Sequence, residues 1–195
     1  MDEIDYYCEK YWFTNVDQHG DVAGYGEKYY AYKIFENIVL RLTDIPSEGF
    51  IVVLGTNNCV SFNLLCDYFG KERCLGFDIA NPTNHSQVQV KNILEVTKDI
   101  PISFVHNDIG NYSLTPTAKF YAQQWAAKNV VHGGYVLGRN NLNSAKLPIE
   151  QYMERLGFLN INLLGLTGVF DLSDISYREL EGHMLSKKVG VRQYV

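Results

Sequence analysis

The stretch Phe50-Ile51-Val52-Val53-Leu54-Gly55-Thr56-Asn57-Asn58 decides the fold. Five apolar residues stop abruptly in a glycine and three small polar residues. A second run, Cys74-Leu75-Gly76-Phe77, stops at Asp78. A buried strand ending in a tight polar turn, followed by a strand ending in an acid, is the layout of a nucleotide-type cofactor site. The turn brings the backbone close to a ligand, and the acid can accept hydrogen bonds from ribose hydroxyls.

Working outward, residues 1–27 are aromatic and polar, with Gly20, Gly24 and Gly26. They read as a short helix or irregular arm followed by a loop. Residues 28–42 read as a helix, because Ile34, Ile38 and Leu42 recur at steps of four beside Phe35 and Val39. Pro46 and Gly49 end it. After the strand at 50–54, Phe62, Leu65, Cys66 and Phe69 place a helix over 60–69, closed by Gly70. A strand at 73–77 follows. Ser86-x-x-Gln89 has the form of a capping box, which predicts a helix burying Val90, Ile93 and Leu94.

A strand is expected at 102–106, after Pro101. Thr115-Pro116 supplies an N-cap and a first-turn proline for a helix reaching about Val131. Further along come a strand at 134–138, a helix at 148–156 ended by Gly157, and a strand through Leu159, Ile161 and Leu163. The tail adds a strand near 183–189. Alternation of this kind implies a mostly parallel sheet covered by helices on both faces. Ligands of such sheets sit beyond the carboxyl ends of the strands, where strand order reverses. The residues to inspect are therefore Gly55 to Asn58, Asp78 to Asn81, Asn107 to Ile109, and Arg139 to Asn141.

Composition narrows the function. A chain of 195 residues, 46% apolar and 20% charged, can form one domain with a full core. The formal net charge of -5 disfavours general nucleic-acid binding, which needs a basic face, and leaves room only for a local basic groove. Cys8, Cys59, Cys66 and Cys74 form no Cys-x-x-Cys pair and have no histidine at zinc-finger spacing. They read as buried thiols, and no metal site is expected. The acidic start, Met1-Asp2-Glu3-Ile4-Asp5, lacks a signal-peptide pattern. No apolar run approaches the roughly 20 residues of a membrane span. A cytoplasmic protein is the expectation.

Two nucleotide motifs are missing. No Gly-x-x-x-x-Gly-Lys-Ser/Thr run exists, so there is no P-loop. A dinucleotide fingerprint needs Gly-x-Gly-x-x-Gly, but after Gly55 the next glycine is Gly70. Asn57 is bulkier than the glycine that lets a pyrophosphate approach the backbone.

A ligand with ribose and adenine but no pyrophosphate is less demanding, and over residues 50–165 the chain resembles the class I S-adenosylmethionine-dependent methyltransferases. Val52-Val53-Leu54-Gly55-Thr56-Asn57 is similar to the family's first motif, whose loop holds the methionine end. Gly76-Phe77-Asp78 is similar to the second, where the acid binds ribose. His106-Asn107-Asp108-Ile109 resembles the third, where an acid contacts the adenine amine. His132-Gly133-Gly134 resembles the Gly-Gly before the fifth strand, and Leu156-Gly157-Phe158 the close of the last helix.

The resemblance implies an α/β fold: a Rossmann-like three-layer sandwich, mostly parallel, with helices on both faces. It also implies a single methyltransferase-like domain over 1–195, with an aromatic arm and helix at 1–49 and the core at 50–195. S-adenosylmethionine is the implied cofactor, held by Gly55, Thr56, Asn57, Asn58, Asp78, Ile79, Asn107, Asp108 and Ile109.

Two departures shape the functional expectation. Val53 replaces the acid that the family usually carries two residues before the first glycine. Between Asp108 and Gly133 there is room for one helix and hardly for the usual fourth strand, which often carries the catalytic residue. No catalytic residue is therefore named. His106 and His132 read as structural. His19 and Tyr25, on a glycine-rich lid, and Arg139 and Asn140, after a strand, are candidates for substrate binding. The expected activity is methyl transfer to a small molecule, sugar or protein side chain. The alternative is a degenerate, non-catalytic binding or assembly module with the aromatic arm as its surface. An NAD-dependent oxidoreductase is a distant third. Self-association into a homo-oligomer is left open.

Overall fold

The structure, a computed structural model, describes residues 35, 38–57, 59–81, 83–109, 116–139, 146–161 and 183–190. In chain order the elements are β1 (Phe50–Leu54), α1 (Val60–Phe69), β2 (Cys74–Asp78), β3 (Val88–Val90), β4 (Ile102–Asn107), α2 (Pro116–Asn129), β5 (Val130–Arg139), α3 (Lys146–Arg155), β6 (Phe158–Ile161) and β7 (His183–Lys188). Short 3-10 turns lie at Val39–Arg41, Lys71–Arg73 and Ile93–Glu95.

The strands form one sheet in the order β3-β2-β1-β4-β5-β7-β6. The first five run parallel. β7 is antiparallel to both β5 and β6. Strand order reverses between β1 and β4, which puts the switch point at the end of the opening stretch.

β1 shows why the chain forms three layers. Ile51, Val52, Val53 and Leu54 are all buried, as a strand covered on both faces requires. Ile51 and Val53 join one apolar cluster with Val60, Phe62, Leu65 and Cys66 of α1. Val52 and Leu54 join a second with Ala122, Trp125 and Ala126 of α2 and Met153 of α3. Each large side chain buried this way contributes about 1.5–3 kcal/mol. Gly70, at φ +92°, caps α1 in the left-handed region as its position in the sequence predicts.

Several expectations change. The helix predicted from Ser86 is instead β3 and a 3-10 turn. The Asn92 side chain accepts the Leu94 amide at 3.1 Å and caps that turn, which interrupts any longer helix. Val90 and Leu94, assigned to a buried stripe, are exposed on this edge of the sheet. Recognising β3 changes the strand count. Ile102–Asn107 is the fourth strand, buried along its whole length, and the family's supposedly missing strand is present.

Helix α2 ends at Asn129, and β5 begins at Val130, four residues earlier than expected. The β4–β5 register shifts between Ile102 and Phe104, so β5 bulges opposite Ser103. Gly133 there adopts φ +80°, and a Cβ on Gly134 would lie 2.8 Å from the Ser103 carbonyl oxygen. This is the physical need behind the Gly-Gly pair. Of the helix expected at 28–42, the described part ends in the 3-10 turn, with Phe35, Ile38 and Val39 buried. Leu163 and the N-terminal arm lie outside the described residues.

Cys59, Cys66 and Cys74 are buried free thiols, as expected; Cys8 lies outside the described residues. Among the described residues no helix is long and apolar enough to cross a membrane.

Candidate functional site

Three parallel strands end together at the switch point. The Gly55 amide donates to the Phe77 carbonyl at 2.8 Å, and the Asp108 amide donates to the Leu54 carbonyl at 2.9 Å. These bonds fasten the turn after β1 between the ends of β2 and β4. Gly55 has φ +84°, and a Cβ there would stand 2.9 Å from the Asp108 carbonyl oxygen. Only glycine meets both conditions without strain. The notable glycine of the opening stretch thus serves a close approach between two strand-end loops.

The turn itself is left-handed twice, at Asn57 (φ +43°) and Cys59 (φ +63°). Asn57 belongs to a residue type that tolerates this region. Cys59 stands at the N-cap of α1, fully buried, and the Thr83 hydroxyl donates to its sulfur at 3.2 Å. Burial, more than any other influence, pushes the Cys59 thiol above its ordinary range. Thr83 comes from the loop after β2, so this part-buried contact ties that loop to the end of the turn.

Asp78 is the centre of the cluster. Its Oδ2 accepts the Asn57 amide at 2.7 Å and lies 3.5 Å from the Thr56 hydroxyl, and its Oδ1 accepts the Ala80 amide at 3.2 Å. The carboxylate holds the turn in shape and keeps unused lone pairs for further donors. Next to it Ile79 is 64% exposed, a large apolar side chain at the rim of the site. Asn81 organises the rest of this loop. Its amide donates to the His85 carbonyl at 3.0 Å and its oxygen accepts the His85 amide at 3.0 Å. His85 packs edge-on to Phe62 of α1, and burial lowers its pKa.

On the other side of the switch point, Asn107 ends β4 directly opposite Leu54 of β1. Asn107 is buried, and its Nδ2 donates to Gln123 Oε1 at 3.0 Å. Gln123, in α2, is buried as well, and its Nε2 donates to Met153 Sδ in α3 at 3.8 Å. The sequence reading missed Gln123. Its one signal is a glutamine set between Ala122 and Trp125 on the apolar face of a helix.

The structure therefore brings Gly55, Thr56, Asn57, Asp78, Ile79, Asn107, Asp108 and Ile109 to one edge of the sheet. Asp108 follows the fourth strand, where the resemblance had set the end of the third. The residues after the third strand are Lys91 and Asn92. Arg139 ends β5. Asn58, His19, Tyr25 and Asn140 lie outside the described residues. Buried His106 belongs to β4, and His132 is exposed near the start of β5. Among the described residues no group of three or more His, Cys, Asp or Glu could hold a metal ion.

Comparison with known proteins gives structure without sequence. No protein-family model matches the chain, and no curated protein matches it. Solved structures do. A protein assigned as a sarcosine dimethylglycine methyltransferase from Galdieria sulphuraria superposes with a TM-score of 0.53 at 10% identity, over 96% of this chain and 99% of that one. One assigned as an RNA methyltransferase from Pyrococcus horikoshii gives 0.53 at 13% identity, over 83% of each chain. The geranyl diphosphate C-methyltransferase of Streptomyces coelicolor, solved with Mg2+, geranyl diphosphate and S-adenosyl-L-homocysteine, gives 0.50 at 13% identity, over 84% of this chain and 79% of that one. The likeness is one of fold.

Proposed function

We propose that this chain, which has the Rossmann-like fold of the class I S-adenosylmethionine-dependent methyltransferases, binds S-adenosylmethionine at the β1–β2–β4 edge and transfers its methyl group. The convergence of Gly55, Asp78 and Asn107 at the switch point carries the reading. Gly55, Thr56, Asn57 and Asn58 would receive the methionine end. Asp78 would accept the ribose hydroxyls on lone pairs left over from its loop contacts. Ile79 would pack against the adenine, covering apolar surface that is otherwise exposed to water. Adenine-edge contacts would come from Asn92 and its neighbours after β3, with Asn107, Asp108 and Ile109 bordering the transferred methyl.

The chemistry is an in-line displacement at a sulfonium carbon. The protein's main task is to align an acceptor with the methyl group and exclude water. Structural neighbours with this fold are named for acceptors as different as geranyl diphosphate and RNA, so the fold leaves the acceptor open. A small molecule, sugar or protein side chain suits the net charge better than nucleic acid. His19 and Tyr25 of the arm, with Arg139 at the end of β5 and Asn140 next to it in sequence, are proposed to face that acceptor.

A second reading keeps the fold as a binding module without catalysis. Val53, buried inside β1, supports it by standing where the family usually has an acid. Calorimetry with S-adenosylmethionine and S-adenosylhomocysteine, with NAD as control, separates the two. Micromolar binding of the first pair without NAD is expected. Folded protein that binds none of the three would leave the binding-module reading.

A further inference from the structure

The loop between β2 and β3 is closed by a bond that depends on a proton. The Gln87 amide donates to His85 Nδ1 at 3.2 Å. A backbone amide can only donate, so this ring nitrogen carries no hydrogen, and the neutral ring holds its proton on Nε2. Protonation puts a hydrogen on Nδ1 as well. The acceptor then becomes a donor, and two N–H groups face each other. His85 therefore makes this contact in only one of its two charge states, and histidine changes state near neutral pH.

The surroundings of the half-buried ring favour the neutral state. It packs edge-on to Phe62 of α1, with 4.9 Å between centroids. Asn81 and Gln87, its partners within the loop, are neutral amides. Lys71, in the 3-10 turn after α1, is the charged group that acts on it. Among the described residues no carboxylate, Asp78 of β2 included, acts on the ring to favour its charged form. Burial first, and Lys71 second, hold the His85 pKa below the ordinary histidine value.

Gln87 leads into β3, the outermost of the described strands on that side of the sheet and only three residues long. Its carbonyl accepts the Gly76 amide at 3.0 Å, and the Val88 amide donates to the His85 carbonyl at 3.0 Å. Beyond β3, the Lys91 amide donates to the Asp78 carbonyl at 2.7 Å. Asn81 holds the His85 main chain from the other side, through bonds of 3.0 Å to its amide and to its carbonyl. Val88 is the one buried side chain of β3, so little besides these bonds seats the strand. We infer that His85 is an acid-sensitive latch: its neutral ring holds Gln87 and seats β3 against β2, and protonation releases Gln87 and loosens the loop that begins at Asp78. The latch is a property of the loop itself, and its effect on the site rests on the proposed cofactor reading, which gives Asp78 and Ile79 to the nucleoside. With a folded pKa below the unfolded value of about 6.5, the latch is complete above that value and is lost as pH falls through the lower folded one.

Nuclear magnetic resonance on the folded, nitrogen-15-labelled full chain reads the latch without any ligand. At pH 8 the His85 ring should show the Nε2–H tautomer. Between pH 8 and pH 5 the Gln87 amide should shift with the same midpoint as the ring, below about 6.5. Its protection from exchange, corrected for the intrinsic effect of pH, should fall by about tenfold, the weight of one good hydrogen bond. His85→Asn sets an amide oxygen in place of Nδ1 and cannot titrate, so Gln87 should be equally protected at both pH values. His85→Phe keeps a ring beside Phe62 but has no acceptor, so protection should already be low at pH 8. Calorimetry with S-adenosylhomocysteine gives the second readout. Native affinity should be about threefold to tenfold weaker at pH 5 than at pH 8, and in His85→Asn the difference should disappear. A Gln87 amide that ignores the ring, or protection that falls equally in native protein and His85→Asn, overturns the latch. Should either variant fail to fold, the native titration decides. Affinity that ignores pH while the latch titrates overturns its link to the site. Absence of binding at every pH overturns the cofactor reading and leaves the resonance result to decide the latch.

Discussion

The Asn57 amide donates to the Asp78 carboxylate at 2.7 Å, joining the turn after β1 to the end of β2. The acid that the proposed function assigns to ribose is thus also part of the loop's own architecture. Asp78→Ala should weaken S-adenosylhomocysteine binding by about 1.5–3 kcal/mol, or roughly 10- to 100-fold, the range for hydrogen bonds to a charged group. It should lower thermal stability as well. Asp78→Asn retains an oxygen for the Asn57 amide and should recover most of the stability but less of the affinity. Paired calorimetry and melting curves check this, and unchanged affinity in both variants would sink the ribose assignment.

Gly55→Ala should be costly far beyond the loss of one hydrogen. The new Cβ would meet the Asp108 carbonyl oxygen at 2.9 Å, and φ +84° is strained for any side chain. A loss of about 1–3 kcal/mol is expected, read as a lower urea midpoint with an unchanged slope. Gly70→Ala is the control. It has a similar φ of +92° but no atom within 4 Å of the new Cβ, so the difference between the two isolates the close approach.

Away from the site, Asp44 accepts hydrogen bonds from Lys187 of β7 and Tyr135 of β5. The Lys187 bond, followed by that of Tyr135, lowers the Asp44 pKa. The bond to Asp44 raises that of Lys187. For a carboxylate whose folded pKa is depressed, the stabilisation is complete above the unfolded value, about 3.9. It is lost as pH falls through the lower folded value. For the lysine the stabilisation is complete below its unfolded value, about 10.4, and is lost as pH rises through the folded one. Asp44→Asn should therefore lower stability across the neutral range and flatten both the acid and the alkaline limbs. Both side chains reach solvent, so the effect should be modest and shrink with added salt. Chemical denaturation from pH 2 to pH 11 is the measurement.

The described thiols should be inert in the folded protein. The hydrogen bond with Cys74, followed by burial, raises the Cys66 pKa strongly, and burial raises that of Cys59. The thiolate is the reactive species. Alkylation of Cys59, Cys66 and Cys74 by iodoacetamide at pH 8, followed by mass spectrometry, should run at least about a hundredfold slower than in urea. Fast labelling of Cys66 in native protein would contradict the buried pair.

Much of this architecture was legible because β1, α1 and β4 bury faces with regular periods. Ile51 to Leu54 form an unbroken apolar run, and Phe62, Leu65, Cys66 and Phe69 recur at helical spacing. β3 was not legible, because three residues of edge strand bury only Val88 and leave Gln89 and Val90 to solvent. So short a segment carries no period, and the Ser86–Gln89 pairing mimicked a helix start. That one misreading displaced the strand count and with it the apparent loss of β4. At the site, Gly55 and Asp78 could be singled out because strand ends concentrate function. The Asn107–Gln123–Met153 relay could not, since it joins three elements distant in sequence through side chains whose types alone carry no spacing rule.

β7 lies between β5 and β6, although residues 183–188 follow both of those strands in the chain. Among the described residues β6 has no other neighbour in the sheet, and β5 has none on that side. During synthesis the ribosome must therefore release the chain through Lys188 before β5 and β6 can be joined in one sheet. Until then β5 presents an open hydrogen-bonding edge, a place where a nascent chain could be captured by a chaperone or pair with a second copy. A stop codon anywhere before His183 would make that exposed state permanent.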